Sequence, residues 1–375
     1  MTTATTLPAA TLPALVAFGD NPTLLWGMTN AERLRRLARA EGLPESAGDG
    51  DAGAHLYANL AYVFDPLWLR HILTLPDTMV VDGGEPVLAY LTGGLTPEAA
   101  AESGRVRIIE YRDNPQIYNR QLRKLDCPFI QRLTPETRRQ IERKSYFGAY
   151  KGVTDALTKY LWPELALWLT RIAASIGMTP NMVTAIGATL CVYATYLFAV
   201  GDYWWGMLAG FIFMVLDTVD GKLARCTITS SKWGNVADHG VDLVHPPFWW
   251  YFWGVGLASW ELALPTSTFV WIMVAVIAGY VLQRVIEGLF IKDFGMDIHV
   301  WQKFDSQFRL ITARRNPNMV ILFVATLAGR PDLGLIALAW WTVISLVVHA
   351  VRLVQAYAQQ RAGRPIVSWM EEAQP

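Results

Sequence analysis

The chain has 375 residues, 53% hydrophobic and only 17% charged, with 32 basic side chains balancing 32 acidic ones. Soluble proteins carry about 25% charged residues, so this composition points to a membrane protein with a soluble part. Zero net charge leaves no footprint for nucleic acid, and three scattered cysteines without a CxxC pattern argue against a disulfide framework or a zinc cluster.

Residues 1–145 hold most of the charge. Residues 1–17 lack the basic start and long apolar core of a cleavable signal peptide, so this first region is expected to stay in the cytosol. Within it, 14–19 and 78–90 read as strands, 30–40 and 134–144 as helices, and 45–54 as a Gly/Asp-rich loop. The pattern predicts a small cytosolic α/β domain. It holds no Gly-rich phosphate loop and reads as a non-catalytic module.

Residues 146–178 mix apolar and basic positions, with Lys151, Lys159 and Arg171 among Tyr160, Leu161, Trp162, Leu165 and Trp168. This predicts an amphipathic juxtamembrane segment lying in the headgroup plane; a linker helix packed on the first domain explains its early half equally well. A transmembrane domain is expected over 179–357, opening at Thr179-Pro180, where proline suits a first helical turn. Six apolar stretches approach the roughly twenty residues a membrane helix needs: 181–200, 203–225, 234–257, 269–290, 318–327 and 333–351; 318–327 is short, so a count of five spans stays open beside six. The fold class predicted is mainly α, a six-helix transmembrane bundle behind an N-terminal cytosolic α/β domain. Lys and Arg crowd one set of loops and only Arg330 marks the other, which places both termini and a tail at 358–375 in the cytosol.

The most informative stretch is Asp217-Thr-Val-Asp220-Gly221-Lys-Leu-Ala224-Arg225, followed by Gly234, Asp238 and Asp242. Asp217 and Asp220 at i,i+3 share one helix face, and Asp238 and Asp242 at i,i+4 share another. Carboxylates at the ends of membrane-like helices are costly, and four together repel unless divalent ions neutralise them. Oxygen-only ligands favour Mg2+, Mn2+ or Ca2+ over zinc. An ion-paired packing contact between polar helices is the plainer alternative. Lys222, on another face, is expected to be a surface cation or headgroup contact, and His239 and His245 to be packing residues or residues that support the acids from behind.

These residues fit D-x2-D-G-x2-A-R-x8-G-x3-D-x3-D at every fixed position, and the chain thereby resembles the CDP-alcohol phosphotransferase family of integral membrane enzymes. Thr179-Pro180-Asn181 with Thr184 is similar to the T-P-N-x-x-T opening of that family's first span. The resemblance implies transfer of a phosphate-linked group from a CDP-linked donor to a polar alcohol acceptor, with release of CMP, in phospholipid biosynthesis at the lipid bilayer. It also implies a homodimer. Asp217, Asp220, Asp238 and Asp242 would hold two divalent cations, Mg2+ or Mn2+, with Asp242 also the catalytic base. Asp217, Gly221, Ala224, Arg225, Gly234, Asn181 and Thr184 would bind CDP. Arg284, Arg309, Arg314 and Arg315 would receive an anionic acceptor, although loop topology explains the same arginines. The donor expected is CDP-diacylglycerol; a soluble CDP-alcohol such as CDP-inositol or a CDP-amino alcohol stays open beside it, as does a catalytically inactive CDP-binding membrane protein. The first domain resembles the nucleotidyltransferase-like domains fused to some members, but Phe18-Gly-Asp-Asn-Pro-Thr stands where their Gly-rich phosphate loop is expected, which implies a degenerate or regulatory module.

Overall fold

The structure, a computed structural model, is described for residues 12–44, 53–111, 117–119, 122–230 and 232–372, without the side chains at 117–118, 232–233, 235–239 and 372. The chain begins with β1 (Ala14–Phe18), α1 (Asn30–Glu41), β2 (His55–Asn59), β3 (Tyr62–Phe64), α2 (Pro66–Ile72), β4 (Thr78–Asp82), β5 (Glu85–Leu91), α3 (Pro97–Ser103) and β6 (Arg107–Glu110). A mixed sheet runs in the order β1-β2-β5-β4-β6, with β1 parallel to β2, β4 parallel to β6, and the other pairs antiparallel. The strand expected over 78–90 is two strands. Gly83 and Gly84 both take positive φ and turn the chain between them, a conformation glycine adopts without steric cost.

Short pairs follow: β7 (Ile117–Asn119) with β8 (Lys124–Asp126), and β3 with β9 (Ile130–Arg132). Next comes α4 (Arg138–Gly148), which starts four residues later than expected. The expected loop at 45–54 falls mostly outside the described residues. One apolar core underlies the sheet around Leu56, Phe64, Trp68 and Leu88. Leu25, Trp26, Val63 and Tyr146 belong instead to the core of the helices that follow, so the two parts of the chain share an apolar interior.

After an irregular crossing at 149–156 and a π-turn at Leu157–Leu161, α5 (Pro163–Ser175) exposes Leu165, Trp168 and Ile172 on one face while burying Ala166, Leu167 and Thr170 on the other. Then come α6 (Pro180–Ala199), α7 (Tyr203–Cys226), α8 (Lys232–Gly256), α9 (Thr266–Phe294), the short α10 (Lys303–Phe308), α11 (Arg315–Leu327) and α12 (Pro331–Arg361). Thr179 caps α6 by accepting a hydrogen bond from the Met182 N–H, with Pro180 in the first turn as expected.

Every predicted span corresponds to a helix. Among the described residues α6, α9 and α12 are long and apolar enough to cross a membrane. The long helices α7 and α8 carry the motif carboxylates, and α11, with 13 residues, is only about 20 Å long against a hydrocarbon thickness of about 30 Å. Outward faces of these helices expose Val192, Tyr196, Trp271, Val274, Trp340 and Val347, apolar surface that suits lipid and not water. Inside, Trp249, Trp250 and Trp253 of α8 are fully buried. Pro246 and Pro247 interrupt α8 one turn after Asp242. Lacking N–H groups, they release the Asp242 and Leu243 carbonyls from the helical ladder. The Leu243 carbonyl accepts a hydrogen bond of 3.0 Å from the Tyr280 hydroxyl of α9.

Candidate active site

The acids of α7 and α8 meet at one guanidinium. Arg315, the first residue of α11, donates from Nη2 to Asp217 Oδ2 at 2.7 Å and from Nη1 to Asp242 Oδ1 at 2.6 Å. Asp220, buried, points elsewhere and accepts a 2.6 Å hydrogen bond from the Thr184 hydroxyl of α6. Asp238 falls on α8, but its side chain lies outside the described residues, as does that of His239.

A cavity of about 500 Å³ opens over this point. Eight basic and five acidic side chains line it among the described residues. Asp217, Gly221, Arg225 and Asp242 take part, with all four arginines expected to meet the acceptor. Asn181, Thr184, Asp220, Ala224 and Gly234 lie outside its lining. A Cβ on Gly221 would stand 3.2 Å from Arg225 Nη2, so the bare glycine lets that guanidinium fold back over the helix.

The arginines divide into two kinds. Arg284 and Arg314 each donate to Glu287 Oε1, at 2.7 and 2.6 Å, and the same oxygen lies 3.2 Å from His299 Nε2 and 3.5 Å from His349 Nε2. Two guanidiniums share one oxygen of the compact carboxylate and imidazole set, so arginine already balances the Glu287 charge. Arg309 is different. It is 8% exposed, and its Nε and Nη1 have no hydrogen-bond partner among the described residues. Burial and the like charge of Arg314 push its pKa down to about 9, against which Asp155 works, so it stays charged at neutral pH. A buried donor left unmade is costly and calls for an anion.

Several contributors lie where the motif gives no sign of them. Lys222 is buried and not a surface cation: its Nζ lies 3.0 Å from the centre of the Tyr150 ring and 3.4 Å from the Tyr146 carbonyl. The helical position was read correctly; the face it occupies is covered by α4 and the crossing segment, which sequence spacing within α7 does not reveal. Arg123, from the turn between β7 and β8, donates to Asp297 at 2.8 Å at the cavity wall. His245 packs edge-on against Phe213 and Trp249, as expected.

The donor set suits divalent cations. The described motif ligands offer carboxylate oxygens alone, and Asp217 and Asp242 already converge on one positive group. Carboxylates and guanidiniums gathered around one cavity, at the end of apolar helices, define a membrane enzyme that handles phosphorylated substrates.

Residues 177–313 match the CDP-alcohol phosphatidyltransferase family. The chain is 25% identical over 227 residues to phosphatidylinositol phosphate synthase of Mycolicibacterium smegmatis, covering 58% of this chain and 92% of that one. It is 29% identical over 206 residues to archaetidylinositol phosphate synthase of Pyrococcus horikoshii, covering 52% and 96%. The solved structure of Mycobacterium tuberculosis phosphatidylinositol phosphate synthase with CDP-DAG bound aligns at a TM-score of 0.35 and 19% identity, over 50% of this chain and 93% of that one. Residues 177–313 thus carry a CDP-alcohol phosphatidyltransferase domain, and this domain and its relatives indicate a CDP-alcohol phosphotransferase of phospholipid synthesis. Enzymes of the family generally use divalent metals.

Proposed function

We propose that the protein transfers a phosphatidyl group from CDP-diacylglycerol to a small alcohol that itself carries a phosphate, releasing CMP. The single observation that carries the acceptor half is Arg309, buried at the cavity with two donors unmatched among the described residues. An inositol phosphate fits, and the names of the two relatives denote products built from a lipid and an inositol phosphate.

In this reading the acceptor oxygen attacks the β-phosphorus, a new O–P bond forms, and the bond to the bridging oxygen breaks as CMP leaves. Asp242, 44% exposed at its side chain and facing the cavity, accepts the proton of the attacking hydroxyl. Asp217, Asp220, Asp238 and Asp242 would hold two Mg2+ or Mn2+ ions, which neutralise pyrophosphate and leaving-group charge when bound. Gly221, Ala224, Arg225, Gly234, Asn181 and Thr184 would receive the nucleotide, Arg225 by its fork of donors. Arg309 holds the acceptor phosphate, with Arg284 and Arg314 set beside it by Glu287. Arg315 serves the acids first and the acceptor second, since both of its terminal nitrogens already bind carboxylates. α7, α8 and α11 complete a six-helix bundle whose acidic end faces the cytosol, with both termini on that side.

The test is CMP release by purified protein with Mg2+ or Mn2+, across CDP-diacylglycerol and soluble CDP-alcohols, with phosphorylated and neutral acceptors. The reading expects the lipid donor and a phosphorylated acceptor to work together. Turnover confined to a soluble CDP-alcohol, or to neutral acceptors, would sink it.

A further inference from the structure

The family domain begins at residue 177, yet the segment at 149–156 that precedes it runs over the cavity and is tied down along its length. Tyr150 stacks on the Lys222 ammonium of α7. The Gly152 N–H donates to the Leu122 carbonyl at 2.8 Å, and a Cβ at Gly152 would collide with the Arg123 carbonyl and stand 2.6 Å from Lys124 Cβ, so only glycine fits this crossing. The Ala156 N–H donates to the Leu310 carbonyl at 2.9 Å.

Between these ties lies Asp155, 6% exposed and lining the cavity. Its Oδ1 accepts from Asn316 Nδ2 at 3.0 Å and from the Thr158 N–H at 3.0 Å, and its Oδ2 accepts from the Thr158 hydroxyl at 2.8 Å. Asn316 Nδ2 also donates to Thr158 Oγ1 at 3.2 Å. With its amide nitrogen spoken for, Asn316 turns Oδ1 toward Arg315, whose Nε donates to it at 3.0 Å. The other two nitrogens of that guanidinium hold Asp217 and Asp242. All three nitrogens of Arg315 are thus fixed, and a planar fork held at three points has one orientation.

We propose that Asp155 is a positioning residue for the acid pair, acting through Asn316 and Arg315, so that a segment outside the family domain sets the geometry of the catalytic acids. This rests on the transferase reading. The simpler role, an N-terminal cap for the turn at Leu157–Leu161, uses only the Thr158 contacts and does not involve Asn316.

The full-length protein in nanodiscs tests the chain of contacts with Asp155→Ala, Asn316→Ala and the double variant. Each single change is expected to lower kcat about tenfold while leaving both KM values nearly unchanged, the scale usual for residues that orient ligand groups. The double variant is expected to lose no more than the worse single, because both act along one path. In Mn2+ titrations without substrate, both single variants shift the dissociation constant in the same direction by a common factor, and neither shift persists in an Arg315→Ala background. Wild-type kcat in Asn316→Ala, additive losses in the double variant, or an Mn2+ shift that survives without Arg315 would overturn the proposal. If wild-type protein releases no CMP from any donor while the common Mn2+ shift is present, the transferase reading fails and the positioning role stands.

Discussion

Arg315 holds the two carboxylates that the sequence marked most strongly, and it lies 98 residues from the first of them. A resident positive charge on Asp217 and Asp242 competes with a dication for the same oxygens. Removing it in Arg315→Ala is expected to tighten Mn2+ binding about tenfold, a modest part of the few kcal/mol that close charges exchange at an effective dielectric of about 20. Turnover falls in the same variant, because the acids lose their orientation. Calorimetric or EPR titration with Mn2+ reads the first effect, and weaker binding would count against it. The acids themselves separate by role. Asp242→Asn is expected to retain Mg2+-dependent CDP binding and lose kcat by a factor on the order of 10² or more, whereas Asp217→Asn weakens the binding itself. Equal turnover in Asp242→Asn and wild type removes the base assignment. The sequence made these acids legible because their chemistry is local: spacing of three and four on a helix fixes a common face. It could not show that Asp220 faces Thr184, that Lys222 is covered by Tyr150, or that Asn316 orients an arginine, since each depends on packing between distant segments.

At the scale of the element, Glu287 is the junction of three helices. It sits on α9, receives Arg314 from the entrance to α11, and lies against His349 of α12. Glu287→Ala leaves two guanidiniums facing one another without their shared carboxylate, and breaking a buried pair in this way costs about 3–5 kcal/mol. Thermal unfolding of the detergent-solubilised variant should show a clear fall in Tm, with Glu287→Gln falling less because it keeps hydrogen-bond acceptors; an unchanged Tm in the alanine variant contradicts the junction. Helices were legible in the sequence wherever twenty apolar residues run together. The strands were legible only in part: β1 and the β4–β5 pair form where strands were read, whereas β3, β7, β8 and β9 have three residues each, too few for an alternating pattern to stand out. The stretch between α9 and α11, which brings Arg309 and Arg314 to the cavity, carries too little apolar sequence to announce its fold.

On the scale of the whole molecule, the N-terminal region and the helices share an apolar interior and meet at the acidic end of the bundle. That arrangement ties the sidedness of the first region to that of the active site. Cys127 is exposed, whereas Cys191 and Cys226 are buried, so a membrane-impermeant maleimide has one ready target. Modification is expected in inverted membrane vesicles and not in intact cells. The opposite pattern reverses the orientation read from the basic loops.

The paired prolines of α8 leave a gap in the backbone ladder at this end of the molecule. Beyond them, three tryptophans anchor the helix in the core; before them, the turn bearing Asp242 has lost two rungs of backbone ladder, and the phenol of Tyr280 replaces one. The turn bearing Asp242 is therefore held from two sides, by Tyr280 at the Leu243 carbonyl and by Arg315 at the carboxylate, while the rest of the helix keeps its seat. Without the Tyr280 hydroxyl, the Leu243 carbonyl, already cut from the helical ladder, would have to find another donor.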